Sequence, residues 1–138
     1  MKTPAGVWCR EDLPLILWQP RGILTETVVD EVVAYVEEQE EMAREPFNRF
    51  TDLSRLDAID LNFNYVFNVA LHRRLTYATR PKIKSAFYVT SPAAHRVSKI
   101  HSLFTDHSAI RAKLFDQRAA AADWLEVPVE ALEMEPPS

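Results

Sequence analysis

Glycine is nearly missing from this chain: its 138 residues include two, Gly6 and Gly22. Phosphate-cradling loops such as G-x-x-x-x-G-K-[ST] and G-x-G-x-x-G need several positions without a Cβ, because the backbone itself must close on the ligand. Two isolated glycines build neither loop. Cysteine is scarcer still. Cys9 stands alone, so no internal disulfide is expected. The strong zinc signals C-x-x-C and H-E-x-x-H are also missing from the sequence. A lone thiol with no fixed partner reads as a buried or idle side chain rather than a reactive one. It suits a reducing cytoplasm, the expected location. Long apolar runs are absent too. None approaches the ~20 residues that cross a bilayer. Met1-Lys2-Thr3-Pro4 is not followed by an apolar stretch, so the start does not read as a signal peptide. No integral membrane segment is expected.

What is present suits a folded core. Apolar residues make up 47% of the chain and charged residues 26%, a balance that argues against disorder. The length matches one ordinary domain. We expect that domain over residues 1–126 and a loosely held tail over 127–138, where Pro128, Pro136 and Pro137 fall. The net charge of −4 argues against nucleic acid as a partner. The charge is segregated, however. Residues 26–45 carry eight acidic side chains and one basic one, Arg44. Residues 72–118 carry ten Lys or Arg, four His and two acids, Asp106 and Asp116. Solvated helix faces of opposite sign explain this. So does a basic patch for an anionic ligand, or head-to-tail contact with the acidic helix of a second copy.

Strand-like and helix-like runs alternate along the chain. Leu13–Trp18 reads as a strand ended by Pro20 and Gly22, with Gly6–Cys9 as a short partner. Thr25 and Thr27 are candidate N-caps for a helix whose Val29, Val32, Val33 and Val36 follow the 3.6-residue period. Asp30, Glu31, Glu37, Glu38 and Glu41 form its acidic face. Phe47–Leu53 reads as a strand, with Phe47, Arg49, Thr51 and Leu53 alternating against Asn48, Phe50 and Asp52. Asp60 to about Thr79 reads as a second helix capped by Asp57 or Asp60 and ended by Arg80-Pro81. Its core stripe would be Phe63, Val66, Ala70 and Tyr77, with Ile59 on the same face. Lys82–Thr90 is a strand. Ser91-Pro92 starts a third helix that would bury Val97, Ile100, Leu103 and Phe104. Ala112–Asp116 and Gln117–Leu125 close the pattern as a strand and a helix. Such alternation implies parallel pairing with helices covering the sheet.

Chemistry-bearing constellations are few. His95, His101 and His107 lie six residues apart, so on a helix successive members diverge by about 120° and share no ligand face. They read as solvated histidines near a helix end. Ser98 is close to His101 in spacing, yet no elbow or oxyanion hole accompanies it. Asp57 and Asp60 are explained as helix caps rather than an acid–base pair. No catalytic residue, metal ligand or cofactor site is assigned. The remaining feature is the outer face expected on the second helix, Leu61, Tyr65, Asn68 and His72. Leu and Tyr together on an outer face suggest a partner or self-association surface. Cover by the N-terminal segment or the tail explains them equally well.

The order of these pieces resembles a known family. Phe50-Thr51-Asp52-Leu53-Ser54-Arg55-Leu56-Asp57 resembles the strand-and-loop signature of STAS domains, the fold of the sporulation anti-anti-sigma factor SpoIIAA. Gly22-Ile23-Leu24-Thr25, the strand Ile83 to Val89 and Ala122-Asp123-Trp124-Leu125 extend the resemblance over residues 13–126. It is most similar to the STAS-like (SpoIIAA-like) branch. The resemblance implies an α/β fold with a four- or five-stranded, mostly parallel sheet and about four helices. It also implies a regulatory module switched by phosphorylation of a serine in Asp-Ser-Ser-Gly at the start of the second helix. Here those positions read Asp57-Ala58-Ile59-Asp60, or Asp60-Leu61-Asn62-Phe63 with a three-residue insertion, and neither has a serine. The expected function is therefore a non-enzymatic regulatory or protein-interaction module, with a protein partner or a homodimer, that lacks the usual acceptor. The alternative is a domain that binds a small apolar or anionic ligand, as the related CRAL-TRIO domains hold lipids between sheet and helices.

Overall fold

The computed structural model describes residues 3–10, 12–105 and 109–133. Four-residue strands β1 (Val7–Arg10) and β2 (Leu15–Trp18) form an antiparallel hairpin. The chain continues through β3 (Gly22–Thr25), α1 (Glu26–Ala43), β4 (Asn48–Asp52), β5 (Leu56–Asp60), α2 (Phe63–Thr76) and β6 (Ile83–Tyr88). It ends with α3 (Pro92–Thr105), β7 (Ile110–Phe115), α4 (Arg118–Leu125) and a 3-10 turn over Val129–Leu132. The main sheet has the order β1-β2-β4-β6-β7, and every pairing after the first hairpin is parallel. This is the five-stranded, mostly parallel sheet with four helices expected from the sequence.

Strand alternation divides the core in two. Leu15, Leu17, Phe50 and Ala86 point to one face and pack on Ala121, Ala122, Leu125 and Leu132. Ile16 points the other way and packs with Val32, Tyr35, Val36 and Phe47. The helices α1, α2 and α3 cover that second face. The segment from 127, expected to be loosely held, is packed as far as Leu132. Ala131 and Leu132 are buried, and their carbonyls accept from Arg10 and Arg118. Apolar burial and two guanidinium anchors outweigh the prolines at this end; Pro136 and Pro137 lie outside the described residues.

The second small sheet departs from the sequence reading. β3 and β5 pair in parallel, with Leu24 opposite Ile59 and Thr25 opposite Asp60. Asp57 and Asp60 thus lie in a strand, not at a helix start. Pairing with β3 overrides the local capping signal. Asn62 caps α2 instead, its side chain accepting from the Tyr65 N–H at 2.8 Å. The helix start therefore falls in the Asp60-Leu61-Asn62-Phe63 alternative. Thr25 caps α1, and Ser91 Oγ accepts from the Ala94 N–H. β3 and β5 lie side by side and each leads into a helix, so they bring the N-termini of α1 and α2 together.

The two glycines separate steric from conformational strain. Both have positive φ, +77° at Gly6 and +73° at Gly22. A Cβ on Gly6 would lie 2.5 Å from the Gln19 carbonyl oxygen, whereas one on Gly22 would meet nothing within 4 Å. Gly22→Ala should cost about 1 kcal/mol, the left-handed penalty alone, and Gly6→Ala clearly more. Urea unfolding midpoints of the two variants check this ordering; equal losses would contradict it.

Candidate functional site

Alternation on the central strand β4 places Arg49 and Thr51 on the helix-covered face, where apolar side chains would be the norm. Arg49 is 4% exposed. Its Nη2 donates to Glu40 Oε1 at 2.8 Å and to the Tyr77 hydroxyl oxygen at 2.6 Å. Glu40, 2% exposed, projects from α1, and its Oε2 accepts from the Phe47 N–H at 2.7 Å. The Tyr77 hydroxyl also donates to Glu40. Burial pushes the Tyr77 pKa up, against the pull of the Arg49 charge. The group joins α1, β4 and the end of α2. A buried pair of this kind contributes little net stability, but losing one partner leaves an uncompensated charge and costs about 3–5 kcal/mol.

Beside Arg49 the three helices do not close fully on the sheet. They leave a chamber of about 80 Å3, measured as the space open to the centres of water molecules. One water needs about 10–15 Å3 on that scale, so the space takes several. Its floor is Ile16, Trp18, Arg49, Thr51 and Phe87 of the sheet. Val29, Val32 and Val36 come from α1, and Tyr65, Val66, Val69 and Arg73 from α2. Val97, Ser98 and His101 come from α3, Leu24 from β3, and Leu53 and Leu61 from connecting segments. Most of the wall is hydrocarbon.

Part of the polar minority is unusual because it is unpartnered. Buried Nε and Nη1 of Arg49, Ser98 Oγ, His101 Nδ1 and Trp18 Nε1 have no hydrogen-bond partner among the described residues. All four residues line the chamber. Buried polar groups are normally satisfied, and each exception calls for a reason. Burial first, then the Arg73 and Arg49 charges, pull the His101 pKa down to about 3. His101 also meets the Phe87 ring edge-on, with centroids 5.5 Å apart. Arg73 retains some surface exposure, yet burial first and the Arg49 charge second lower its pKa to about 10.

A shallower groove between α1 and α2 lies over the chamber and shares Tyr65 and Val69 with it. Two contacts bridge the groove. The Tyr65 hydroxyl donates to Asp30 Oδ1 at 2.6 Å and reaches the Glu26 carbonyl oxygen at 3.1 Å. Burial and the Asp30 carboxylate push its pKa up. His72 Nε2 lies 2.7 Å from Glu37 Oε1. On the far face of the sheet Asp52 accepts from Ser54, Gln19 and Arg118. Burial raises its pKa, but those hydrogen bonds outweigh it and hold the carboxyl below the usual range. That cluster is satisfied and reads as structural.

The four residues expected on one outer face separate. Leu61 precedes the helix and, with Tyr65, lines the chamber; Asn68 and His72 line the groove with Tyr65. Leu61 and Tyr65 are half-buried rather than on an outer face, because Leu61 lies before the helix and Tyr65 leans across to Asp30 of α1. Phe63, expected in the core, is 54% exposed, while Val66, Ala70 and Tyr77 are buried as expected. On α3 the expected Leu103 is 62% exposed, Val97 and Ile100 are half-buried, and the buried face is Ala94, Ser98, His101 and Thr105. His101 is therefore not solvated. His95 is exposed, and His107 and the Phe104 side chain lie outside the described residues. Two signals could have revealed the chamber: Arg49 in phase with Phe47 and Leu53, and the helical spacing of Ala94, Ser98, His101 and Thr105.

This arrangement of sheet and helices is a SpoIIAA-like fold. It is shared with an uncharacterized protein of the DUF3478 family from Shewanella loihica PV-4, whose structure has a SpoIIAA-like fold. The two superpose with a TM-score of 0.56 at 18% sequence identity, over 87% of this chain and 90% of that one. No family model and no curated protein matches the sequence. The start of α2, Asn62-Phe63-Asn64-Tyr65, carries no serine. No helix among the described residues is long and apolar enough to cross a membrane.

The depressed His101 pKa has a thermodynamic consequence. Between pH 6.5, its ordinary value, and about 3, the unfolded chain binds a proton at this site that the native protein refuses. Stability therefore falls as pH drops through that window, by up to about 1.4 kcal/mol per pH unit. His101→Gln should show a shallower decline between pH 6.5 and 4.5. Urea midpoints measured across that range check it, and parallel curves would assign the chamber histidine an ordinary pKa.

Proposed function

We propose that this protein binds a small, mostly apolar ligand in the chamber between its sheet and α1, α2 and α3. The observation that supports this reading is the coincidence of an apolar cavity with unpartnered buried polar atoms. Binding sites combine a hydrocarbon wall with a few placed polar groups. A well-packed core instead fills its volume and satisfies its polar atoms. Energetics point the same way. Leaving a buried donor unmade costs about 1–3 kcal/mol, and a ligand that accepts from it recovers that energy. The role is non-enzymatic, and its single thiol fits a cytoplasmic setting. Toluene, a neutral probe, should bind saturably and raise the thermal midpoint. Val97→Phe, which fills the chamber from α3, should abolish the shift and leave the fold intact. A toluene response identical in both proteins would place binding elsewhere.

A second reading, a protein-interaction module working through α2, keeps support from different residues. Leu71 and Leu75 are 41% and 69% exposed, four residues apart on one side of the helix. Such a pair is a recognisable contact surface, for a protein partner or a homodimer. Leu71→Ser with Leu75→Ser should turn any dimer seen by light scattering into monomer without lowering thermal stability. A wild-type monomer at high concentration would remove self-association from this reading.

A further inference from the structure

The polar end of the chamber has a charge, and the charge defines what it takes. Arg49 and Arg73 line the chamber as two cations. Glu40, which accepts from Arg49, is the one buried carboxylate in the cluster. His101 adds no charge near neutral pH, since its proton is lost far below. Buried Arg49 and Glu40 cancel, and half-buried Arg73 leaves the chamber with one positive charge. Glu37 also acts on Arg73 electrostatically, but it stands at the surface groove against His72. Asp30 accepts from Tyr65 at the opposite end of the same groove, and the Glu26 carboxylate acts on Tyr65 electrostatically.

We propose that the chamber is the site of an amphipathic monocarboxylate, with its carboxylate held by Arg49, Arg73 and Ser98 beside His101 and its hydrocarbon tail lying along the valines of α1 and α2. This rests on the ligand-binding reading above and names the ligand class. A carboxylate accepts through two oxygens and donates nothing. The free Arg49 Nε and Nη1 and the Ser98 hydroxyl are donors. His101 Nδ1 becomes a donor if the ring takes up a proton or adopts the tautomer protonated there. Charge-assisted hydrogen bonds of this type are about twice as strong as neutral ones. One negative charge neutralises that positive charge. A dianion would leave an excess negative charge in an apolar chamber, and a neutral ligand would leave the positive charge uncompensated. Hydrocarbon suits the rest of the wall, where Val29, Val32, Val36 and Val69 face the space.

The test is calorimetry on the full chain at pH 8 with octanoate, 1-octanol and octyl phosphate, which share one tail. Octanoate should bind at least tenfold more tightly than 1-octanol. Arg73→Gln and Ser98→Ala should each weaken octanoate at least fivefold and leave 1-octanol unchanged, with near-ultraviolet dichroism confirming the fold. Ring-nitrogen chemical shifts give a second readout. Bound octanoate should raise the His101 midpoint by stabilising the imidazolium, which a merely structural role for these residues would not do. Equal affinity for octanoate and 1-octanol would overturn the anion site while leaving the chamber. Tighter octyl phosphate would overturn the monocarboxylate. No binding of any of the three, with toluene still bound, would overturn the ligand class alone. Loss of toluene binding as well would remove the reading beneath it.

Discussion

Everything on the helix-covered face is arranged around one buried charge, the Arg49 guanidinium at the centre of the main sheet. A cation there is tolerable only with a carboxylate in contact and further polar partners around it. Glu40 supplies the carboxylate from the last turns of α1, and Tyr77 adds its hydroxyl from the end of α2. Glu40 also takes the Phe47 N–H at the entrance to β4, so the turn from helix to strand is fixed by the same carboxylate. The cluster therefore sets where α1 and α2 end relative to the sheet. It occupies one donor nitrogen of Arg49 and leaves Nε and Nη1 without a partner among the described residues, in a side chain that lines the chamber.

The two faces of the sheet divide the work. On the α4 face, Leu15, Leu17, Phe50 and Ala86 meet small alanines and Leu125 in close packing. The polar atoms there are satisfied: Asp52 has four hydrogen-bonded contacts from three residues. The Arg118 guanidinium lies over the rings of Phe50 and Tyr88. This face can carry stability. The opposite face gives up packing density and hydrogen bonds in return for space. A protein tolerates such a deficit where something else uses it, which is why unsatisfied groups gathered in one cavity point to binding rather than to disorder.

The paired arms β3 and β5 explain how the chamber is roofed. Their parallel pairing sets Thr25, the cap of α1, opposite Asp60, two residues before the Asn62 cap of α2. The first turns of α1 and α2 then approach closely enough for Tyr65 to reach Asp30 and the Glu26 carbonyl. Asn62 caps α2, and Tyr65 follows one turn on, where it lines the chamber and bridges α1 and α2.

The sequence by itself determined the order of elements and most of their kinds, because periodicity and breakers are local. The valine stripe of α1, Ser91-Pro92 before α3, the run Ile83–Tyr88 and Arg80-Pro81 after α2 were all legible. The same local logic misplaced Asp57 and Asp60 as caps, since nothing nearby announces that Leu56–Asp60 will find a strand in Gly22–Thr25. The site was less legible for a related reason. Arg49 stood in phase with Phe47 and Leu53, and Ser98 and His101 lay at helical spacing, but a polar residue in an inward position has no meaning until its neighbours are known. Tertiary structure alone decided that these residues, 49 positions apart between Arg49 and Ser98 along the chain, line one cavity, that Glu40 neutralises only one of its two arginines, and that the remaining Arg49 donors have no partner among the described residues. Charge balance and hydrogen-bond satisfaction are sums over groups brought together by folding, and no window of sequence contains them.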